Sequence, residues 1–204
     1  MQSSKNYTYL ALGDSYTIGE QVKINESFPC QTVYQLRQQN LHFNAPEIIA
    51  ATGFTTDELN AAIDKTVLLP HYDFVSLMIG VNNQYRGRLA EDFEMDFKIL
   101  LNRAIHFAGN IPAHVFVLSI PDWGVTPFAT GSDGPTIAKA IDGFNKVCKR
   151  LTEKSQAHYI DITPSQRADG SNESFLAGDK LHPSEKEYAK WAGLLSQKIL
   201  SCIT

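Results

Sequence analysis

The chain has 204 residues, of which 43% are hydrophobic and 20% charged, and a formal net charge of −4. This is the balance of an ordinary globular protein and lacks the basic excess of a dedicated nucleic-acid binder. It fits a single domain over residues 1–204, a size that buries roughly 70% of the surface its unfolded chain exposes and needs no disulfide or metal staple.

The opening Met1-Gln2-Ser3-Ser4-Lys5-Asn6 has no basic region leading into an apolar stretch, so no signal peptide is expected. The first apolar run is Tyr7–Leu12, followed by Gly13-Asp14-Ser15-Tyr16-Thr17. Pro29–Gln39 predicts a helix. Glu47–Ala50 predicts a second strand, with Thr52-Gly53 beyond it, and Thr56–Ile63 a short helix with Thr56 at its N-cap. Phe74–Ile79 is the third strand, and Gly80-Val81-Asn82-Asn83 follows it. Phe93, Phe97, Leu100, Leu101, Ala104 and Ala108 then recur at three- and four-residue intervals, one apolar face of a helix. Glu91, Asp92, Glu94 and Asp96 crowd its start, where the helix dipole favours acids; they read as a solvated helix start before they read as a binding patch.

His114–Ser119 is the fourth strand and leads into Pro121-Asp122-Trp123-Gly124-Val125-Thr126-Pro127-Phe128. Gly131-Ser132-Asp133-Gly134-Pro135 breaks the chain before a helix from Thr136 to Ser155. Tyr159–Ile162 is the fifth strand, and a long stretch ends in Asp179-Lys180-Leu181-His182-Pro183. Ser184 and Glu187 have the capping-box spacing, and Tyr188, Trp191, Ala192, Leu195 and Ile199 follow at helical intervals. Most of the apolar runs are continuous rather than alternating, as in strands covered on both faces. Alternating strands and helices predict βαβ units with right-handed crossovers. The expected fold is a three-layer α/β/α domain on a flavodoxin-like, five-stranded parallel sheet.

Open parallel sheets bind ligands beyond the carboxyl ends of their strands, near the point where strand order reverses. The residues just after each strand therefore decide function. Ser15 follows the first strand. Alone it reads first as a helix N-cap; the phosphate-loop patterns are absent, and G-x-S-x-G fails because position 17 is Thr. His182 precedes a proline and so sits on a non-helical loop edge. Asp179, three residues earlier, is placed to accept the imidazole Nδ1 proton and leave Nε2 as a base, although Asp-x-x-His alone is also a structural loop pair. Taken together, Ser15, His182 and Asp179 with Asn82 after the third strand and Gly53 after the second are the parts of acyl transfer: nucleophile, base, orienting acid and oxyanion donors.

On these residues the chain resembles the SGNH (GDSL) hydrolase family over nearly its whole length. Ser15 in Gly-Asp-Ser matches the family's first block, Gly53 the second, Asn82 the third, and Asp179-Lys180-Leu181-His182-Pro183 the D-x-x-H-P of the last. Two positions depart from the pattern: Ala51 stands where the family often has Asn, and Asn83 where it often has Asp. The resemblance implies a carboxylic ester hydrolase with Ser15, His182 and Asp179 catalytic. The Ser15 N–H, the Gly53 N–H and the Asn82 amide would form the oxyanion hole, with no metal or organic cofactor. The implied partner is a small-molecule ester, not nucleic acid and not an integral membrane. Arylesterases, lysophospholipases, lipases and carbohydrate acetylesterases are all family activities. With little chain left for a lid, the expectation leans to short-chain or water-soluble esters, with lysophospholipid or acetylated carbohydrate as alternatives. Trp123 and Phe128 either wall a substrate pocket or pack their own loop. A binding module of the same fold, without catalysis, is the reading from another class.

The remaining histidines, His42, His71, His106, His114 and His158, read as surface or half-buried residues; His71 and Asp73 lie before the third strand, at the edge away from the proposed site. Cys30, Cys148 and Cys202 show no zinc spacing and read as reduced thiols. The longest apolar runs are too short to span a bilayer. A cytoplasmic protein is expected, or a secreted or periplasmic one if a leader has been removed.

Overall fold

The structure, a computed structural model, describes residues 5–203. In chain order its elements are β1 (Asn6–Tyr7), β2 (Tyr9–Asp14), α1 (Ser15–Ile18), α2 (Phe28–Gln38), β3 (His42–Phe43), β4 (Glu47–Ala51) and α3 (Thr56–Lys65), then β5 (Phe74–Met78), α4 (Val81–Tyr85), α5 (Ala90–Phe107), β6 (Val115–Leu118) and α6 (Gly134–Lys154). They close with β7 (His158–Ile160), α7 (Thr163–Asp169) and α8 (Glu185–Ile203). Short 3-10 turns fill several of the connections.

Five strands form one parallel sheet in the order β4-β2-β5-β6-β7. Counting those strands along the chain, the order is 2-1-3-4-5, that of a flavodoxin-like sheet, and it reverses between β2 and β5. Right-handed crossovers then divide the helices. The connection from β2 to β4 runs one way and puts α2 on one face, where it packs against α8. The connections running the other way put α3, α5 and α6 on the opposite face, with α5 against both α3 and α6. The central strands β2, β5 and β6 are buried along their full length, which is why their sequences are continuously apolar, while the edge strand β4 is half-buried.

The α5 face expected from its periodicity is buried: Phe93, Phe97, Leu100, Leu101 and Ala104 all lie in the core. On the other face, fully buried Trp191 of α8 packs on Phe28 of α2 and on Tyr16 of α1. Burial of each such side chain contributes about 1.5–3 kcal/mol relative to exposure.

Three local expectations are corrected. The first apolar run is two strands, because Asn6–Tyr7 pairs with His42–Phe43 in a separate two-stranded ribbon, and Thr8 between them gives its N–H and hydroxyl to Asp73. The N-cap of α3 is Thr55, not Thr56: the Thr55 N–H donates to Glu58 at 2.9 Å, whereas the Thr56 N–H donates to Asn83 Oδ1. The Ser184/Glu187 pattern does not close as a capping box. The Ser184 hydroxyl donates to the Ser174 carbonyl, and Glu187 accepts from Ser165 Oγ and Trp191 Nε1 and pairs with Lys190. Tertiary partners outcompete the local cap there.

All three cysteines are free. Among the described residues, no helix is long and apolar enough to cross a membrane.

Candidate active site

Strand β2 ends at Asp14, and the chain turns at once into α1, a single helical turn. Asp14 caps it by accepting the Tyr16 N–H at 3.1 Å. The turn sits hard against the sheet. A Cβ on Gly13 would fall 2.5 Å from the Met78 carbonyl oxygen and 2.0 Å from Thr17 Oγ1, so only glycine fits where β2 passes β5. This places Ser15 at the head of α1, beside the switch point of the sheet, and 4% exposed.

The loop before α8 brings His182 to it. Asp179 Oδ1 accepts the N–H groups of Leu181 and His182, each at 3.0 Å, and Lys180 between them takes a left-handed backbone with φ of 60°. Cross-loop bonds hold this tight turn: the Ala177 N–H donates to the His182 carbonyl at 2.8 Å, and the Phe128 N–H to the Lys180 carbonyl at 3.2 Å. His182 Nδ1 lies 2.6 Å from Asp179 Oδ2, and its Nε2 lies 2.9 Å from Ser15 Oγ. A carboxylate only accepts, so Nδ1 carries the ring proton and Nε2 is left to accept from the serine hydroxyl. His182 is buried, and its ring stands 4.9 Å from the Tyr16 ring, tilted by 50°. Burial would lift the Asp179 carboxyl, but the bonds from the His182 ring, the His182 N–H and the Leu181 N–H outweigh it and hold that carboxyl below its ordinary value. Asp14 goes the other way: burial lifts its carboxyl to about 7, against the lowering effect of the Tyr16 N–H.

Gly53 lies at the third position of a turn from Ala51 to Phe54, closed by the Phe54 N–H donating to the Ala51 carbonyl at 3.2 Å. Its φ of +81°, after a residue with ordinary φ, is that of a type II turn and favours glycine. Asn82 is the second residue of α4, and its Nδ2 donates to the Phe54 carbonyl at 3.0 Å, which leaves its second amide hydrogen uncommitted by that bond. The Asn83 departure from the family pattern is accommodated locally. Asn83 Oδ1 accepts the Thr56 N–H at 3.1 Å and its Nδ2 donates to Thr56 Oγ1 at 2.8 Å, a two-ended bond that a carboxylate could not make with that hydroxyl donating elsewhere, here to Asp96.

Ser15, Gly53, Asn82 and His182 face one open cleft of about 180 Å³, with Asp179 behind the imidazole. Trp123 and Phe128 line it too; the Trp123 indole is nearly buried and donates Nε1–H to Gln84 at 2.7 Å. Phe128 stands 6.2 Å from it, and Tyr85, at the end of α4, 5.2 Å on another side. Tyr85, Thr52 and Leu181 are cleft residues that the sequence did not single out. Tyr85 had a weak signal, lying one helical turn beyond Asn82. The other histidines stay apart from the cleft; Asp73, near His71, ties down Thr8 and Lys5 at the far end of the sheet. Among the described residues, no group of three or more His, Cys, Asp or Glu is arranged to hold a metal ion.

A buried serine hydrogen-bonded to an imidazole, itself oriented by a carboxylate, with amide donors across a cleft, can attack and cleave an acyl group. Comparison with known proteins identifies the family and the fold. A model of the GDSL-like lipase/acylhydrolase family matches residues 11–190. No curated protein matches by sequence. Among solved structures, an acetylxylan esterase from Geobacillus stearothermophilus superposes with a TM-score of 0.75 at 18% identity, covering 98% of this chain and 96% of that one. A lipase/acylhydrolase from Enterococcus faecalis gives 0.72 at 20% identity over 95% of each chain. A psychrotrophic esterase from Pseudoalteromonas sp. gives 0.69 at 16% identity, covering 97% of this chain and 98% of that one. At these identities the structures establish a shared fold.

Proposed function

The chain belongs to the GDSL-like lipase/acylhydrolase family and is a carboxylic ester hydrolase, and we propose that it works through a Ser15–His182–Asp179 triad and an acyl-enzyme on short, apolar carboxylic esters. The observation that carries the proposal is the continuous relay Ser15 Oγ–His182 Nε2–His182 Nδ1–Asp179 Oδ2, at 2.9 and 2.6 Å, opening on a cleft shared with Gly53 and Asn82.

Ser15 Oγ attacks the ester carbonyl carbon as His182 Nε2 takes the hydroxyl proton. Asp179 keeps the ring in the reactive tautomer and offsets the imidazolium charge. The tetrahedral oxyanion is stabilised by the Ser15 N–H, the Gly53 N–H and the Asn82 amide. His182 then gives its proton to the departing alkoxide, leaving the acyl group on Ser15. Water enters, loses a proton to His182 and attacks the acyl carbon. The carboxylic acid leaves as Ser15 Oγ recovers the proton.

The cleft favours an apolar substrate group, because Val81, Tyr85, Trp123, Phe128 and Leu181 are among the residues that line it. Among the described residues, those lining it include no lysine or arginine, so a phosphodiester headgroup would find no cationic partner inside. That ranks lysophospholipids below simple esters. A p-nitrophenyl ester series with lysophospholipid and acetylated sugars alongside tests both parts. Acetyl and butyryl esters should be turned over best, palmitoyl esters and lysophospholipid poorly, and Ser15→Ala should abolish all of it while folding normally. Wild-type turnover by folded Ser15→Ala would sink the triad; a preference for long chains would sink the substrate reading.

A further inference from the structure

We propose that Arg86 is a positioning residue that fixes Gly53 for oxyanion binding. The proposal rests on the reading of Gly53 as an oxyanion donor. Of the three proposed donors, the Ser15 N–H belongs to the first turn of α1 and the Asn82 amide to α4, but the Gly53 N–H belongs to a turn outside any helix or strand. A glycine at positive φ has the widest backbone freedom of any residue, so something else must hold it.

The hold comes from one face of α4. Asn82 and the Arg86 that caps the helix stand four residues apart, hence on the same side. They grip two successive carbonyls: Asn82 Nδ2 donates to the Phe54 oxygen at 3.0 Å, and Arg86 Nη2 to the Gly53 oxygen at 2.8 Å. Arg86 Nη1 is held in turn by Glu58 Oε1 at 3.2 Å, and the other Glu58 oxygen accepts the Thr55 N–H at 2.9 Å. The guanidinium thus closes a ring running Gly53–Arg86–Glu58–Thr55 around the turn. On the other side, the Thr52 hydroxyl donates to Glu20. Lysine could donate one of the two Arg86 bonds; a side chain without a donor could make neither.

Arg86 and Glu58 are both well exposed, and exposed ion pairs contribute little to stability. Loss of the guanidinium should therefore be read in kinetics and not in melting temperature. The test compares Arg86→Met, which keeps the stem and removes the donors, with Arg86→Lys, beside wild type and Ser15→Ala, on a short-chain p-nitrophenyl ester. Arg86→Met should lose about 10–100-fold in kcat, less than or equal to the loss of a whole donor, with KM and melting temperature nearly unchanged. Its affinity for an alkyl boronic acid, which forms a tetrahedral adduct on the serine, should fall alongside kcat. Arg86→Lys should recover most of both. An inactive Ser15→Ala with Arg86→Met at wild-type kcat would overturn the role of Arg86 alone. A loss confined to KM would also overturn it, making Arg86 a substrate contact. An active Ser15→Ala would overturn the reading beneath it.

Discussion

Asp14 and Asp179 show how position, at the scale of a residue, turns the same carboxylate to opposite uses. Asp179 is partly exposed and takes three donors, so folding lowers its value. Its contribution to stability is present above the ordinary carboxylate range and is lost as pH falls through its folded value. Asp14 is buried with one donor on Oδ1, and Oδ2 has no partner among the described residues. Folding raises it from 3.8 to about 7, so the native state binds its proton more readily than the unfolded chain does. Between about pH 4 and 7, rising pH should therefore cost stability at Asp14. Asp14→Asn keeps an acceptor for the Tyr16 N–H, since Asn caps helices as well as Asp, and removes the buried charge. Melting temperature measured across that range should fall less steeply with pH in Asp14→Asn than in wild type. Parallel curves would show that Asp14 keeps the same charge in both states.

The element that organises the site is α4. Its five residues are too few to show a helical period, and for that reason it could not be read from the sequence, although Asn82 inside it could. Asn82, Gln84, Tyr85 and the capping Arg86 reach different parts of the cleft or of the Gly53 turn, while Asn83 ties α4 to the start of α3 through Thr56. Ser15, Gly53, Asn82, Asp179 and His182 were legible because each sits in a short motif at a strand end or before a proline. Arg86, Gln84 and Tyr85 were not, because their partners lie about 30 to 40 residues away in other loops, a relation that no local pattern encodes. The long helices were legible to within a few residues because their buried faces repeat, while the Ser184/Glu187 pattern misled because Ser174, Ser165 and Trp191 compete for the same polar atoms. On this account, Asn82→Ala should cost roughly 2.7–4 kcal/mol of transition-state stabilisation, by analogy with removal of a single oxyanion donor. The loss should appear in kcat on a short-chain ester. A change in KM alone would make Asn82 a binding residue.

At the scale of the whole molecule, the 2-1-3-4-5 strand order does the decisive work. It sets β2 beside β5, so that α1 and α4 start next to each other at the crevice, with Ser15 and Asn82 on them. The loop before α8 then returns across the same edge and brings His182 within 2.9 Å of a serine 167 positions away. None of these contacts requires a lid, and the cleft stays open and apolar. Labelling with a serine-directed alkyl phosphonate, followed by intact mass and peptide mapping, tests the triad most directly. A single adduct on Ser15 is predicted, with esterase activity falling in step with its occupancy and with no adduct on Ser15→Ala. Full activity without an adduct, or an adduct on another residue that tracks the loss of activity, would contradict it.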